Sequence, residues 1–387
     1  MKICLLSARF PPQRCGVGDY TCYLACALAR VGHDVDVITC AGLVDDMLYP
    51  LPPNVHVRRV VSSWTITGLP DVLRHLRKVE PELLLIQYTP HAFQRRGITF
   101  AVNLLSALVR ATSGVRVVTN FHELYIPFDR SMQRNLGAVW QRVTALLLAL
   151  GSHTLCVTAS EWQRRLKGLG VGKPVQLIPV GSNIPLTMTS AEDRARLRRQ
   201  LLGSSDLLVA SFGARHDRDV PGVLYALREL NKLVRARLLW VGGGSLSGPD
   251  RVSIEETVRL AGLHEGDVTW TGDLPHPEVS RVLSVCDLMM LAFVDGVSTR
   301  RTSAMTAFQH GLPLLTTYGN TLAAQFVHRA NTYLVPNGNR QALADGLIEL
   351  GTNPELRTRI ARGGRALYEA AFTWDVIAKQ VLSLTQD

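Results

Sequence analysis

The chain has 387 residues, room for two domains, and its 47% hydrophobic content supplies sizeable cores and excludes wholesale disorder. A formal net charge of +10 with only 6% aromatics, and no zinc, RNA-binding or helix-turn-helix spacing, points away from nucleic acid and towards phosphorylated small molecules or an anionic membrane surface. Seven scattered cysteines without a CxxC pair argue against a disulfide framework.

In chain order, KICLLSA (2–8) predicts a buried strand, followed by a glycine-containing loop and a helix over 21–32 that is apolar at helical spacing and closed by Gly32. Strands are predicted at 34–40, 55–60, 83–88, 115–121, 154–159 and 175–181. The most apolar long span, 143–159, is broken by Gly151, Ser152 and His153, so it reads as a helix and then a strand, not a membrane span. The N-terminal apolar run is too short for a signal peptide, and the expected location is cytoplasmic. Basic runs at 74–78, 164–173 and 194–199 read first as solvated helix faces and second as attraction to the inner face of an anionic membrane.

A polar helix over 189–203, with Ser190 and Asp193 as its capping signal, opens a second series. Its strands are predicted at 207–213, 237–244, 268–272, 288–293, 312–317 and 332–336, with a helix at 223–234 and a closing helix at 372–386. Strands alternating with helices predict an α/β fold of two Rossmann-like domains with parallel sheets covered on both faces. The predicted domains are 1–183 and 184–370, with a final helix in 371–387.

Ligands of doubly wound sheets sit beyond the carboxyl ends of the strands, so the loops after the strands carry the candidate chemistry. In RFPPQRCGVGDYT (9–21), Gly16 and Gly18 allow close backbone approach to a phosphate or sugar; a tight strand-to-helix turn gives the same pattern. His122 follows a strand beside Glu123, without metal-ligand spacing nearby. Gly213 precedes Arg215 and Arg218, two cations that Asp217 and Asp219 are near enough to neutralise. WVGGGSLSG (240–248) offers Gly243 for a close pass and Ser245 for a hydrogen bond, or is simply a flexible loop. In DGVSTRRTSAMTAFQHGLP (295–313), Ser298, Thr299 and Thr302 are good caps, whereas Arg300 and Arg301 oppose the helix macrodipole at about 0.3–1 kcal/mol each unless an anion sits there.

These loops, in this order, resemble the retaining GT-B-fold glycosyltransferases of family four, the glycosyl transferase group 1. The pieces that carry the resemblance span nearly the whole chain: 7–39, HEL (122–124), TASEWQRRL (158–166), IPVGSNIP (178–185), LLWVGGGS (238–245), VTWTGDLPHPEVSRVLSVCDLMMLAF (268–293), HGLPLLTT (310–317), LVPNGNRQALADGLIEL (334–350) and FTWDVIAKQ (372–380). The resemblance implies two Rossmann-like domains facing each other across a cleft, with the last helix crossing back to the first domain. It implies transfer of a sugar from a UDP- or GDP-linked donor to a small-molecule, glycan or lipid-linked acceptor with retention of configuration. No cofactor or metal is expected beyond the nucleotide-sugar co-substrate. By position, Gly16, Val17 and Gly18 would border the diphosphate and His122 would contact the donor sugar, while Thr271, Gly272, Asp273 and Leu274 would hold the nucleobase.

The chain departs from the family where two glutamates usually precede the GLP: Ser298 and Thr306 occupy those positions counted back from Gly311, or Ser303 the second counted forward from Asp295. The lysine that usually joins an arginine after the first strand of the second domain is also missing. The expected substitute is a diphosphate cradle at Ser298–Thr302, with Arg300 or Arg301 supplying charge and Asp295, beside Gly296, taking part of a glutamate's role. The alternative is a catalytically degenerate protein that binds nucleotide or sugar as the partner of another transferase.

Overall fold

A computed structural model describes residues 1–13, 15–42, 50–244, 248–264 and 266–385. Ser245 lies outside them. The chain divides into two units, Met1–Asn183 with Trp374–Asp387, and Ile184–Thr373.

The first unit is built on seven strands: β1 (Lys2–Ser7), β2 (Asp34–Cys40), β3 (Val55–Val61), β4 (Leu83–Tyr88), β5 (Arg116–Phe121), β6 (Thr154–Val157) and β7 (Val175–Leu177). All pair in parallel in the order β3-β2-β1-β4-β5-β6-β7. The central strand β4, LLLIQY, is buried at every residue, whereas the edge strand β3 is half-exposed over most of its length. This contrast is why the central strands read as continuous apolar runs: a parallel strand covered on both faces has no solvent side to alternate with. Leu84, Ile86, Val117, Leu148 and Leu166 are among the side chains of this unit's core. Trp374, which opens the last helix (Trp374–Ser383), donates its Nε1–H to Ser182 O at 2.7 Å and stacks on Tyr23 with centroids 5.5 Å apart.

The second unit carries β8 (Leu207–Phe212), β9 (Ala236–Val241), β10 (Val268–Gly272), β11 (Leu288–Leu291), β12 (Leu314–Tyr318) and β13 (Tyr333–Pro336), all parallel in the order β10-β9-β8-β11-β12-β13. Its opening helix, Ala191–Leu202, is capped as the sequence predicts, the Ser190 hydroxyl accepting from Asp193 N at 3.0 Å. Asp219 caps Val220–Asn231 in the same way, accepting from Gly222 N at 3.0 Å.

Both sheets reverse their strand order once, between β1 and β4 and between β8 and β11. Connections leave these neighbours towards opposite faces, opening a crevice at their carboxyl ends where a doubly wound sheet binds ligand.

Candidate functional site

At the crevice of the first unit, the helix after β1 starts at Gly16, so Gly16, Val17 and Gly18 form its first turn and not the predicted loop; the sequence boundary at 21 is corrected by five residues. Cys15 is the extended N-cap residue. Gly18 is needed there because a Cβ would stand 3.0 Å from Arg9 O, where the helix presses on the segment leaving β1. A Cβ at Gly16 would meet no atom of the described residues within 4 Å.

His122 lies just past β5, its amide bonded to Tyr88 O at 2.9 Å. Its Nε2 donates to Gln87 Oε1 at 2.8 Å, and Asn120 Nδ2 donates to the same oxygen at 3.1 Å. The ring meets Tyr20 edge-on, with centroids 4.6 Å apart. Burial pushes the imidazole down to about 3, so His122 is neutral at physiological pH. It can contact a sugar as a neutral hydrogen-bonding group, not as a cation.

Asp19, on the same first turn, is a candidate that sequence reading passed over. Burial pushes its carboxyl up to about 6, with a hydrogen bond from Asn183 opposing the shift. An acid in a helix's first turn normally signals nothing beyond dipole complementarity; only three-dimensional burial marks this one.

The second crevice is charged. Arg301 donates through Nη1 to Asp217 Oδ2 at 2.6 Å and through Nη2 to Asp295 Oδ1. Arg300 Nη2 donates to Asp295 Oδ2 at 2.7 Å, and Arg218 Nη1 to Asp217 Oδ1 at 2.6 Å. The guanidinium carbons of Arg218 and Arg301 lie 3.9 and 4.4 Å from the Phe293 ring centroid. Burial draws Arg218 down to about 10, opposed by Asp217, and burial followed by Arg300 holds Arg301 below the ordinary guanidinium range. Three guanidiniums face two carboxylates, leaving one positive charge in excess. The buried Nε atoms of Arg218 and Arg301 and the Ser298 hydroxyl have no partner among the described residues.

This arrangement corrects several expectations. Arg300 and Arg301 do not stand uncompensated at a helix start, because Asp217 and Asp295 answer their charge. The helix Thr302–Gln309 has Arg301 as its N-cap residue with no side-chain cap, and Ser298 and Thr299 lie buried upstream of it. The chain is pinned there by Val297 N bonded to Thr317 O at 2.8 Å, and the two carboxylates draw Arg301 into the cap position. Arg218, with a side chain 3% exposed, also donates to Phe212 O at 3.2 Å and Ser303 Oγ at 3.0 Å. Buried and bonded on three sides, it is the least exposed of the three guanidiniums. Gly296 is a packing glycine: φ is +90° and a Cβ would fall 2.4 Å from Gly319 N.

Beside the cluster, Arg215, His216, Gly243, Thr257 and Trp270 line a pocket of about 500 Å³. Trp270 stacks on Trp240 with centroids 4.8 Å apart, and the Arg215 guanidinium carbon is 5.7 Å from the Trp270 ring. Thr271, Gly272 and Asp273 tie the neighbouring loops together: Gly242 N donates to Gly272 O at 3.0 Å and to Thr271 Oγ1 at 3.2 Å, and Gly244 N to Asp273 Oδ1 at 3.0 Å. Leu274 is half-buried next to them. Trp270 and Arg215 give the pocket an aromatic wall and a cation, suited to a base and a phosphate.

Among the described residues no group of three His, Cys, Asp or Glu side chains is placed to hold a metal ion, and no helix is long and apolar enough to cross a membrane.

Residues 15–184 match the model of glycosyltransferase family 4, and residues 207–353 match that of the glycosyl transferases group 1. Sucrose-phosphate synthase from Thermosynechococcus elongatus shares 20% identity at a TM-score of 0.76, covering 100% of this chain and 98% of its own. The Anabaena protein HepE in complex with UDP and glucose shares 18% at 0.70, covering 100% and 99%. WaaG, a glycosyltransferase involved in lipopolysaccharide biosynthesis, shares 16% at 0.68, covering 100% of both chains. No curated protein matches the sequence. With one family model on each unit and the doubly wound fold shared over full length, the chain belongs to the group 1 glycosyltransferases of the GT-B fold.

Proposed function

We propose that this glycosyltransferase moves a hexose from a nucleoside diphosphate sugar to an acceptor hydroxyl with retention of configuration and without a metal. The observation that carries the proposal is the Arg300–Arg301 cluster at the second unit's crevice, cationic in excess and holding unpartnered polar atoms. The base and ribose occupy the pocket at Trp270, and the diphosphate lies against Arg300 and Arg301. Arg300 is the outermost of the three guanidiniums, with a side chain 24% exposed, and exchanges Asp295 for phosphate at least structural cost. HepE is described in complex with UDP-glucose, which favours UDP over GDP here.

In the reaction, the bond from the sugar's anomeric carbon to the β-phosphate oxygen breaks and the acceptor oxygen bonds to the same face. The departing phosphate oxygen takes the acceptor's proton. Charge grows on the leaving diphosphate, so preorganised guanidiniums stabilise the transition state more than the bound donor. They supply the positive charge that a divalent ion supplies in metal-dependent transferases. His122 gives the sugar a neutral hydrogen-bond partner, and Asp19 receives a hydroxyl of sugar or acceptor at the helix start.

The test is steady-state transfer or donor hydrolysis by wild type and Arg301→Ala, with and without EDTA. Losing one charged contact worth about 1.5–3 kcal/mol lowers kcat/KM by at least about tenfold. Wild-type kinetics in the variant, or loss of wild-type activity in EDTA, would refute the cradle or the metal independence respectively. Nucleotide binding without turnover of any donor would favour the non-catalytic partner, which the lack of both usual glutamates, with Ser298 at the first position and Thr306 or Ser303 at the second, also suggests.

A further inference from the structure

In the first unit, the helices Phe100–Thr112 and Met132–Gly151 carry an apolar face outward. Phe100 and Leu104, four residues apart, are exposed on one helix; Met132, Leu136, Trp140 and Val143 are exposed at helical spacing on the other. Met132 is 87% and Leu136 61% exposed. The Phe100 and Trp140 rings touch edge-on with centroids 5.6 Å apart, joining the two stripes into one surface. Among the described residues, ten of the twenty-two exposed large apolar side chains fall between residues 100 and 150, so the exposure is concentrated there and not scattered.

The charge around this face has one sign. Between Glu82 and Glu161 the sequence holds seven arginines against two acids, Glu123 and Asp129, and neither helix contains an acidic residue. Asp129 is already paired with Arg134 at 2.8 Å. Arg95 and Arg96 precede the first helix, are exposed, and have no carboxylate partner among the described residues. With Gln94 and Ile98 they line a recess of about 610 Å³, and Gln141 Nε2 donates to Arg96 O at 3.0 Å, fixing that recess against the second helix.

We infer that this helix pair is a docking surface for an anionic lipid bilayer, with the apolar stripes at the acyl boundary and Arg95 and Arg96 among the lipid phosphates. An interfacial surface needs both parts: apolar side chains with aromatic rings at headgroup depth, and cations without competing carboxylates. A second copy of the chain fits poorly. A two-fold interface would set this arginine-rich rim against itself, with almost no carboxylate to answer it. The inference is independent of the donor site.

The experiment is flotation of the full chain with vesicles of phosphatidylcholine alone, or with about a third of phosphatidylglycerol, at about 0.1 M salt. Binding should require the anionic lipid. Removing a cation near such a surface weakens association about fivefold, so Arg95→Gln with Arg96→Gln should lose about 25-fold. Met132→Ser with Leu136→Ser alters two mostly exposed positions and should lose at least about tenfold. Unchanged melting temperature and nucleotide response in both variants establish that the fold is intact. Equal binding to both vesicle types, no binding to either, or insensitivity to both double variants would overturn the inference. So would a lipid-free dimer that Met132→Ser with Leu136→Ser dissociates.

Discussion

Asp19→Asn should make the protein more stable and less active at neutral pH. Burial raises the Asp19 carboxyl from 3.8 to about 6, and a difference of about two pKa units corresponds to about 3 kcal/mol between the protonation states. For an acid with a raised folded-state pKa, the folded protein holds its proton between about pH 4 and 6 while the unfolded chain has lost it. Unfolding free energy therefore falls as pH rises through that window and stays lower above it. The dipole of the Gly16–Arg30 helix favours a carboxylate in its first turn by about 0.3–1 kcal/mol, so the net cost of the ionised form is about 2–3 kcal/mol. Asparagine keeps the size and the polar contact to Asn183 without the charge. Urea unfolding of wild type and variant should give equal stability near pH 4 and an advantage of about 2–3 kcal/mol for the variant at pH 7.5. Transfer should fall at least about tenfold, since the buried charge is retained at the expense of stability. A variant no more stable than wild type at pH 7.5, or a difference that ignores pH, would refute the reasoning.

Two further substitutions probe the second crevice. Gly296→Ala forces a Cβ into the Gly319 backbone at an unfavourable φ of +90° and should destabilise the second unit by about 2 kcal/mol or more, read as a lower melting temperature. Arg218→Ala removes one of Asp217's two arginine partners, leaving Arg301, and frees Ser303 Oγ and Phe212 O of their donor, so it should cost about 1–3 kcal/mol in chemical denaturation. If Arg218 instead contacted donor directly, the variant would lose donor affinity while keeping its stability.

The fold was legible because its grammar is local. Buried parallel strands such as LMML (Leu288–Leu291) announce themselves by apolar runs, and Ser190 caps a helix through an atom three residues away. The boundary that failed depends on backbone geometry and packing that residue type alone does not reveal. Cys15 adopts the N-cap geometry and Gly18 presses on Arg9, which moves the first helix start to Gly16, although both glycines looked like loop residues. The candidate site was half legible. The sequence singled out Arg300, Arg301 and Asp295 as a block, and offered neutralisation by Asp217 only for Arg215 and Arg218. It could not show Asp217 reaching Arg301 across 84 residues, or Phe293 lying against two guanidiniums. Asp19 was invisible because its signal is burial alone.

The most direct measurement is a thermal-shift titration of UDP, GDP, ADP and TDP against wild type and Arg301→Ala, in EDTA. A ligand at a hundred times its Kd adds about 2.7 kcal/mol of stability, so a bound nucleotide is readily seen. A donor cradle at Arg300 and Arg301 predicts strong stabilisation of wild type by one nucleotide, UDP first, and a shift reduced by at least about tenfold in affinity in the variant. No stabilisation by any nucleotide, or an identical shift in Arg301→Ala, would contradict it.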